Sequence, residues 1–323
     1  MENPNNARSR VWSCTGLGIL LVVLLTWPLV FSNPFYVTLG TMLVLATIGA
    51  TSLNLIIRTG HISLAHAAFM GVAAYTCVVL EMRMGWPFWF AITAGCCASG
   101  LLALMLGPVV LRLTGKYFVL VTFLVGEIIR MVFVEWQGIT GGANGIQQIP
   151  LSLDLFGSSL QFYYFALLVS AICVGIVWRI LTSDLGRVID SVREADRVAE
   201  CSGVPVIRIK VMVFVIACML VGIQGGLQAH LVRAIDPSAY NMDASLNMVV
   251  MNVLGGMYYL AGPLVGTGFM VALPEMLRGY VELQQVIFGI ILIIVMAVLP
   301  GGMIGAFALG RALLRRFLHR EKA

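Results

Sequence analysis

Charge is what this chain has least of. Asp, Glu, Lys and Arg together supply only 11% of its 323 residues, while 60% are hydrophobic. With a mean hydropathy of +0.96, that scarcity excludes an ordinary soluble domain and points to a polytopic membrane protein. A P-loop is also missing. The one Gly-Lys pair is Gly115-Lys116, with Val110 where G-x-x-x-x-G-K-[ST] requires glycine and Tyr117 where it requires a hydroxyl residue, so ATP binding by this route is not expected. There is no H-E-x-x-H, and His61 and His66 are five apart, off a shared helical face; no metal and no cofactor are expected. The seven cysteines form no C-x-x-C and lie mostly in apolar runs, as buried membrane thiols do. No Ser, His and acid grouping suggests a nucleophile, so the chain reads as a conduit and not an enzyme. The net charge of +5 is no sign of nucleic-acid binding, because Lys and Arg gather at segment ends and in the tail, where they set topology. Arg8 and Arg10 precede a long apolar run that no A-x-A-like site follows, so the first segment is expected to stay as an anchor.

What is present is hydrocarbon-length helix. The expected fold is all-α, a polytopic transmembrane helical bundle of about ten spans, forming a single transmembrane domain over 1–323. The spans run near 11–31, 36–57, 61–80, 86–111, 117–134, 162–178, 211–231, 244–259, 263–277 and 284–299. With both termini cytoplasmic, Arg58, Arg112, Lys116 and the basic tail (301–323) fall inside. The loop from Glu135 to Gln161, which has no Lys or Arg and carries TGGANG, falls outside. Arg83, Arg233 and Arg278 are the outside exceptions. Eight spans with two re-entrant segments keep the same parity.

Spans two to five and seven to ten then run in opposite senses. Each group holds a short, glycine-interrupted span, Gly60–Gly71 and Gly255–Gly268. Such a pair suggests an inverted repeat with glycine-broken helices flanking a midplane path; close helix packing, as at the GxxxG spacings 222–226 and 262–266, explains the same glycines. Glu127 and Arg130, three apart inside an apolar span, can pair on one face. They fit either a wet path or a pair snorkelling to the membrane surface. Glu275 and Arg278 repeat the spacing.

One stretch is polar. Residues 179–210, RILTSDLGRVIDSVREADRVAECSGVPVIRIK, hold six basic and five acidic side chains, and must sit in cytoplasmic water. Val188, Ile189, Val192, Ala195, Val198 and Ala199 recur at helical spacing, and Gly203 and Pro205 close the segment. An apolar helix face without its own globular domain suggests docking of a soluble partner.

Several stretches carry a family resemblance: GHISLAHAAFMGVAAYT (60–76), LRLTGKYFVLVTFLVGEIIRMVF (111–133), ITGGANGIQQIP (139–150), GRVIDSVREADRVAECSGVPVIRIKVMVF (186–214), LGGMYYLAGPLVG (254–266) and LPEMLRG (273–279). Over about 43–305 the chain resembles the permease subunits of bacterial branched-chain amino-acid ABC importers, the LivM type more than its LivH partner. Ala65 stands where the family commonly has Gly, and Met257 and Tyr258 stand in a turn that is usually GGMG-like; Tyr240 keeps a common aromatic. The resemblance implies a multi-pass protein of the bacterial inner membrane, in contact with lipid. It also implies a second permease of LivH type, two separate ATP-binding subunits, and a periplasmic substrate-binding protein. Substrates would be branched-chain amino acids, other amino acids, amides or urea; a self-sufficient ion- or proton-coupled transporter is the alternative class. Residues 179–210 become the ATPase-coupling segment, with Gly186, Arg187, Val192, Arg193, Glu194, Ala195, Glu200 and Gly203 as its candidates and the apolar face inserted into a partner groove. A zwitterion needs partners for both charges, which broken helices can offer as partial charges. Ser63, His66, Phe69, Glu127, Arg130, Asn252 and Gly256 are the candidate path residues.

Overall fold

The computed structural model describes residues 23–28, 33–149, 158–259, 261–278, 284–298 and 302–305. The expected first span over 11–31 falls mostly outside these residues, as does the basic tail apart from 302–305. The chain forms two compact units, one of residues 23–249 and one of 1–22 with 250–323.

In the unit 23–249 the helices are α1 (Pro34–Ile57), α2 (His66–Met84), α3 (Phe88–Val110), α4 (Lys116–Glu135) and α5 (Ser159–Thr182). They are followed by α6 (Asp184–Glu194), α7 (Asp196–Cys201) and α8 (Val206–Val232). Local chemistry sets their ends. Asn33 caps α1, its Oδ1 accepting from the Phe35 N–H at 3.1 Å, and Pro34 fits the first helical position. α2 stops at Gly85, which takes the left-handed conformation that glycine adopts at no steric cost. Six of these helices (α1 to α5 and α8) are long and apolar enough to cross a membrane.

Contacts sort the connections onto two ends. At one end, α6 lies beneath the end of α1, with Arg193 beside Gly60 and the charges of Asp190 and Arg193 acting on Arg58. Lys210, at the start of α8, reaches Asp196 of α7 at 2.5 Å. At the opposite end, Arg83 donates to the Gly138 carbonyl at 2.6 Å and His230 meets Glu81 at 2.6 Å. There β1 (Ile146–Gln147) pairs antiparallel with β2 (Ala234–Ile235). α1 therefore finishes where α8 begins, and the two run in opposite senses. Arg58 and the 179–210 stretch share one end, and the Lys/Arg-free loop up to residue 149 lies at the other.

α9 (Met242–Gly255) leads into α10 (Gly262–Met276) and α11 (Gln284–Val298). α9 and α10 have 14 and 15 residues, short of the ~20 that a full crossing needs. The break expected near 255–268 is present as the turn between α9 and α10, with Gly256 at φ +115°. The glycines around it also serve packing. A Cβ on Gly255 would strike the Gly262 carbonyl and one on Gly266 the Met251 carbonyl, so the two backbones touch directly.

Candidate functional site

The first interruption lies between α1 and α2. Residues 58–65 are not helical, yet His61, Ser63, Leu64 and Ala65 are buried. Their depth follows from one bond: His66, the first residue of α2, meets Ser52 of α1 through Nε2 at 2.8 Å. Ser52 precedes the end of α1 by five residues, roughly 8 Å of helix. The chain thus leaves α1, turns, and climbs back into the bundle before α2 starts. α4 forms the seat of this segment. Its buried stripe of Phe118, Thr122 and Gly126 brings Thr122 Oγ1 to the Leu64 N–H at 3.2 Å. A Cβ on Gly126 would lie 3.3 Å from the Ala65 Cα. At the entrance, the His61 ring stands edge-on to Phe118 at 4.6 Å.

A second interruption enters from the opposite end, and the sequence alone did not identify it. Arg233 to Asp243 reads as a short polar loop, but β2 and the 3₁₀ turn Pro237–Tyr240 carry the chain back inward. Tyr240 is buried against Gly71, where an added Cβ would sit 2.8 Å from its ring, and its ring centroid is 6.1 Å from that of Tyr75. α9 then begins inside the bundle, with Ser245 Oγ accepting from the Ala67 N–H at 2.9 Å. The first turns of α2 and α9 thus meet, one reached from each end. Leu64, Ala68, Gly126, Glu127, Tyr240 and Asn241 line a narrow pocket at this junction. The available sequence signals were the aromatic Tyr240 and the run of Pro237, Ser238 and Asn241 ahead of an apolar stretch.

The polar groups at the junction are unevenly satisfied. Ser52 gives its one hydrogen to the Gly49 carbonyl at 2.8 Å, so it accepts from Nε2–H of a neutral His66. That leaves His66 Nδ1 as a buried acceptor without a partner, as are Ser63 Oγ and Gln224 Oε1. Gln224 stands against Gly49 on the same stretch of α1. α2 has Ala65 at its N-cap and no side chain capping it, whereas Asn241 Oδ1 caps α9 by accepting from the Ala244 N–H at 3.0 Å. Glu127 and Arg130 pair at 2.8 Å, both partly exposed. Phe69 is buried edge-on against Phe214, a core position. In the unit containing 250–323, Asn252 is buried and its carbonyl accepts from the Gly256 N–H at 2.9 Å.

The polar stretch 179–210 folds as α6 and α7, broken at Ala195. Its apolar face is not free. Val192 and Ala199 are buried in a cluster with Val206 of α8, joined by Val188 and Val204, and Ile189 is buried too. The chain's own residues thus cover Ile189, Val192 and Ala199 of the face expected to enter a partner's groove, while Val198 of the same face stays exposed. The opposite face carries Arg187, Glu194 and Ala195, with Glu200 exposed on α7 and Gly203 just after it. Gly186 is buried in the α5–α6 corner, where a Cβ would strike the Leu181 carbonyl, and Arg193 is half-buried.

A sequence model of one protein family, described as "Branched-chain amino acid transport system / permease component", matches residues 16–296. The chain belongs to this permease family. Among its curated relatives is the high-affinity branched-chain amino acid transport system permease protein LivM of Salmonella typhimurium strain LT2. It is 28% identical over 313 residues, covering 88% of this chain and 73% of the relative. LivM of Escherichia coli strain K12 is 27% identical over 312 residues, with the same coverage. No solved structure matches the chain.

Proposed function

We propose that this permease subunit imports branched-chain amino acids across a bacterial inner membrane, with both termini in the cytoplasm. It acts with a second permease of LivH type, two ATP-binding subunits and a periplasmic binding protein. The observation that carries the reading is the meeting of α2 and α9, each reached through a buried non-helical segment from a different end of the bundle. A zwitterion in a low-dielectric path needs a partner for each charge. The first turn of α2, in which Ser245 takes the Ala67 N–H and Ala65 supplies no cap, offers its other backbone N–H groups and the positive end of a helix dipole to a carboxylate. His66 Nδ1 and Gln224 Oε1, both bare acceptors, suit an ammonium, with Ser63 between the two roles. Glu127 and Arg130 flank the same junction from α4. Asn252 and Gly256 are proposed as path residues in their own unit.

The exposed face of α6 and α7 couples this subunit to the ATPases, with Arg187, Glu194 and Glu200 as its charged contacts. Arg193 and Gly186 hold α6 in place beneath α1. The test is uptake by the complete complex in proteoliposomes against leucine, isoleucine, valine, other amino acids, an amide and urea. ATP-dependent accumulation of the branched-chain three is expected. Uptake of urea or an amide alone would reassign the substrate, and uptake driven by an ion gradient without ATP would refute the importer class.

A further inference from the structure

We propose that Cys77, Glu81 and His230 form a binding site for one Zn²⁺ ion between α2 and α8, at the end of the bundle opposite α6 and α7. One donor atom from each residue lies within 4.8 Å of the other two. Cys77 and Glu81 are one helical turn apart on α2 and face α8 together. His230 Nδ1 lies 2.7 Å from the Gly226 carbonyl. A carbonyl only accepts, so Nδ1 carries a hydrogen and Nε2 is directed at Glu81, 2.6 Å away. A histidine whose other ring nitrogen donates to a backbone carbonyl is the orientation that metal-binding histidines use. Gly226 leaves room beside the thiol, since even an added Cβ there would stand 3.7 Å from Cys77 Sγ. The Phe88 ring closes the site edge-on, 4.9 Å from His230. Cys77 and His230 are buried, and Glu81, with 13% of its side chain exposed, is the route of entry.

Thiolate, carboxylate and imidazole are the donors zinc takes, and three of them leave a fourth position for water. Bond lengths of about 2.0–2.3 Å put tetrahedral donors roughly 3.3–3.7 Å apart. The Glu81–His230 contact would open by under ~1 Å and the thiol would close by about as much. Charge favours the ion as well: a thiolate, a carboxylate and Zn²⁺ sum to zero, which a low-dielectric site tolerates. Without metal, one proton must lie between Glu81 and Nε2, because two bare acceptors do not approach to 2.6 Å. Binding therefore releases two protons, that one and the thiol's. The occupied site would clamp α2 to α8, the helices that follow the first interruption and precede the second.

The experiment uses the assembled complex, stripped with a chelator and then titrated with Zn²⁺ or Co²⁺. The expected results are one more bound Zn²⁺ per chain in wild type than in Cys77→Ser, and a thermal midpoint that rises with Zn²⁺ in wild type only. Co²⁺ should give a thiolate charge-transfer band that Cys77→Ser loses and His230→Ala weakens. Equal zinc content in wild type and Cys77→Ser would overturn the site and leave a proton-bridged pair. If the variants fail to assemble, wild type alone decides, because absence of the cobalt–thiolate band in a stable complex refutes the proposal.

Discussion

Gly186 has no room for a methyl group, because the Leu181 carbonyl already occupies that space. Gly186→Ala must push α6 off the end of α5, at about 1–3 kcal/mol for overpacking. A lowered thermal midpoint is expected, together with weakened ATPase stimulation; Gly175→Ala, with nothing within 4 Å of the added carbon, should change neither. Lys210 is a second decisive residue. Its side chain is 2% exposed and its partner Asp196 39%, so Asp196→Ala strands a buried ammonium. The expected loss is about 2–3 kcal/mol, below the usual range for a broken buried pair because water already screens the aspartate side. The double variant Lys210→Met/Asp196→Ala should regain most of that stability in thermal unfolding, and a double variant as unstable as the single one would contradict this account. At this scale the sequence exposed the residue types but not their tasks. Gly71, Gly186 and Gly226 look alike in sequence, and only their neighbours distinguish a ring, a carbonyl and a thiol.

At the scale of elements, α6 shows what pattern can and cannot reveal. Its spacing of apolar residues was plain, and so was the turn at Gly203. What covers Val192 was not, because the covering residues, Val204 and Val206, lie past the Gly203 turn in the part of the polar stretch that reads as its close. Two variants separate the faces. Val192→Asp should destabilise the folded chain, since it buries a charge in the chain's own cluster. Arg187→Glu with Glu194→Lys should leave the unfolding free energy within ~0.5 kcal/mol of wild type and reduce ATPase stimulation at least tenfold. Unchanged stimulation would remove the coupling role from this face. The interruptions differ in the same way. The one at 58–65 overlaps the interrupted stretch expected at Gly60–Gly71, although the helix is continuous from His66 through Gly71, whereas that at 233–241 is hidden, because a buried return and an exposed polar loop share a composition. Gly71 joins them: a larger side chain would meet Tyr240 and Phe133 at 2.8 Å. Gly71→Leu is expected to cut transport more than tenfold while the protein still reaches the membrane.

For the whole molecule, the span boundaries read from hydropathy fall within a few residues of the observed helices, because burial in lipid and burial in protein both require apolar sequence. Hydropathy reads 244–259 and 263–277 as two spans, where the described helices are α9, of 14 residues and carrying Asp243 and Asn252, and α10, of 15. Reporter fusions test the resulting topology. One placed in 135–161 should read periplasmic and one after Arg316 cytoplasmic; a reversal at either site would overturn the orientation. The central claim is that substrate passes the junction of α2 and α9 in an ATP-driven importer. Its most direct test is ATP-dependent leucine uptake by the reconstituted complex carrying Ser63→Cys on a background free of native cysteines, before and after treatment with a small polar thiol reagent. The account predicts that the cysteine reacts in at least one nucleotide state, is protected by leucine, and abolishes uptake once modified. A cysteine that never reacts, or full uptake after complete modification, would contradict it.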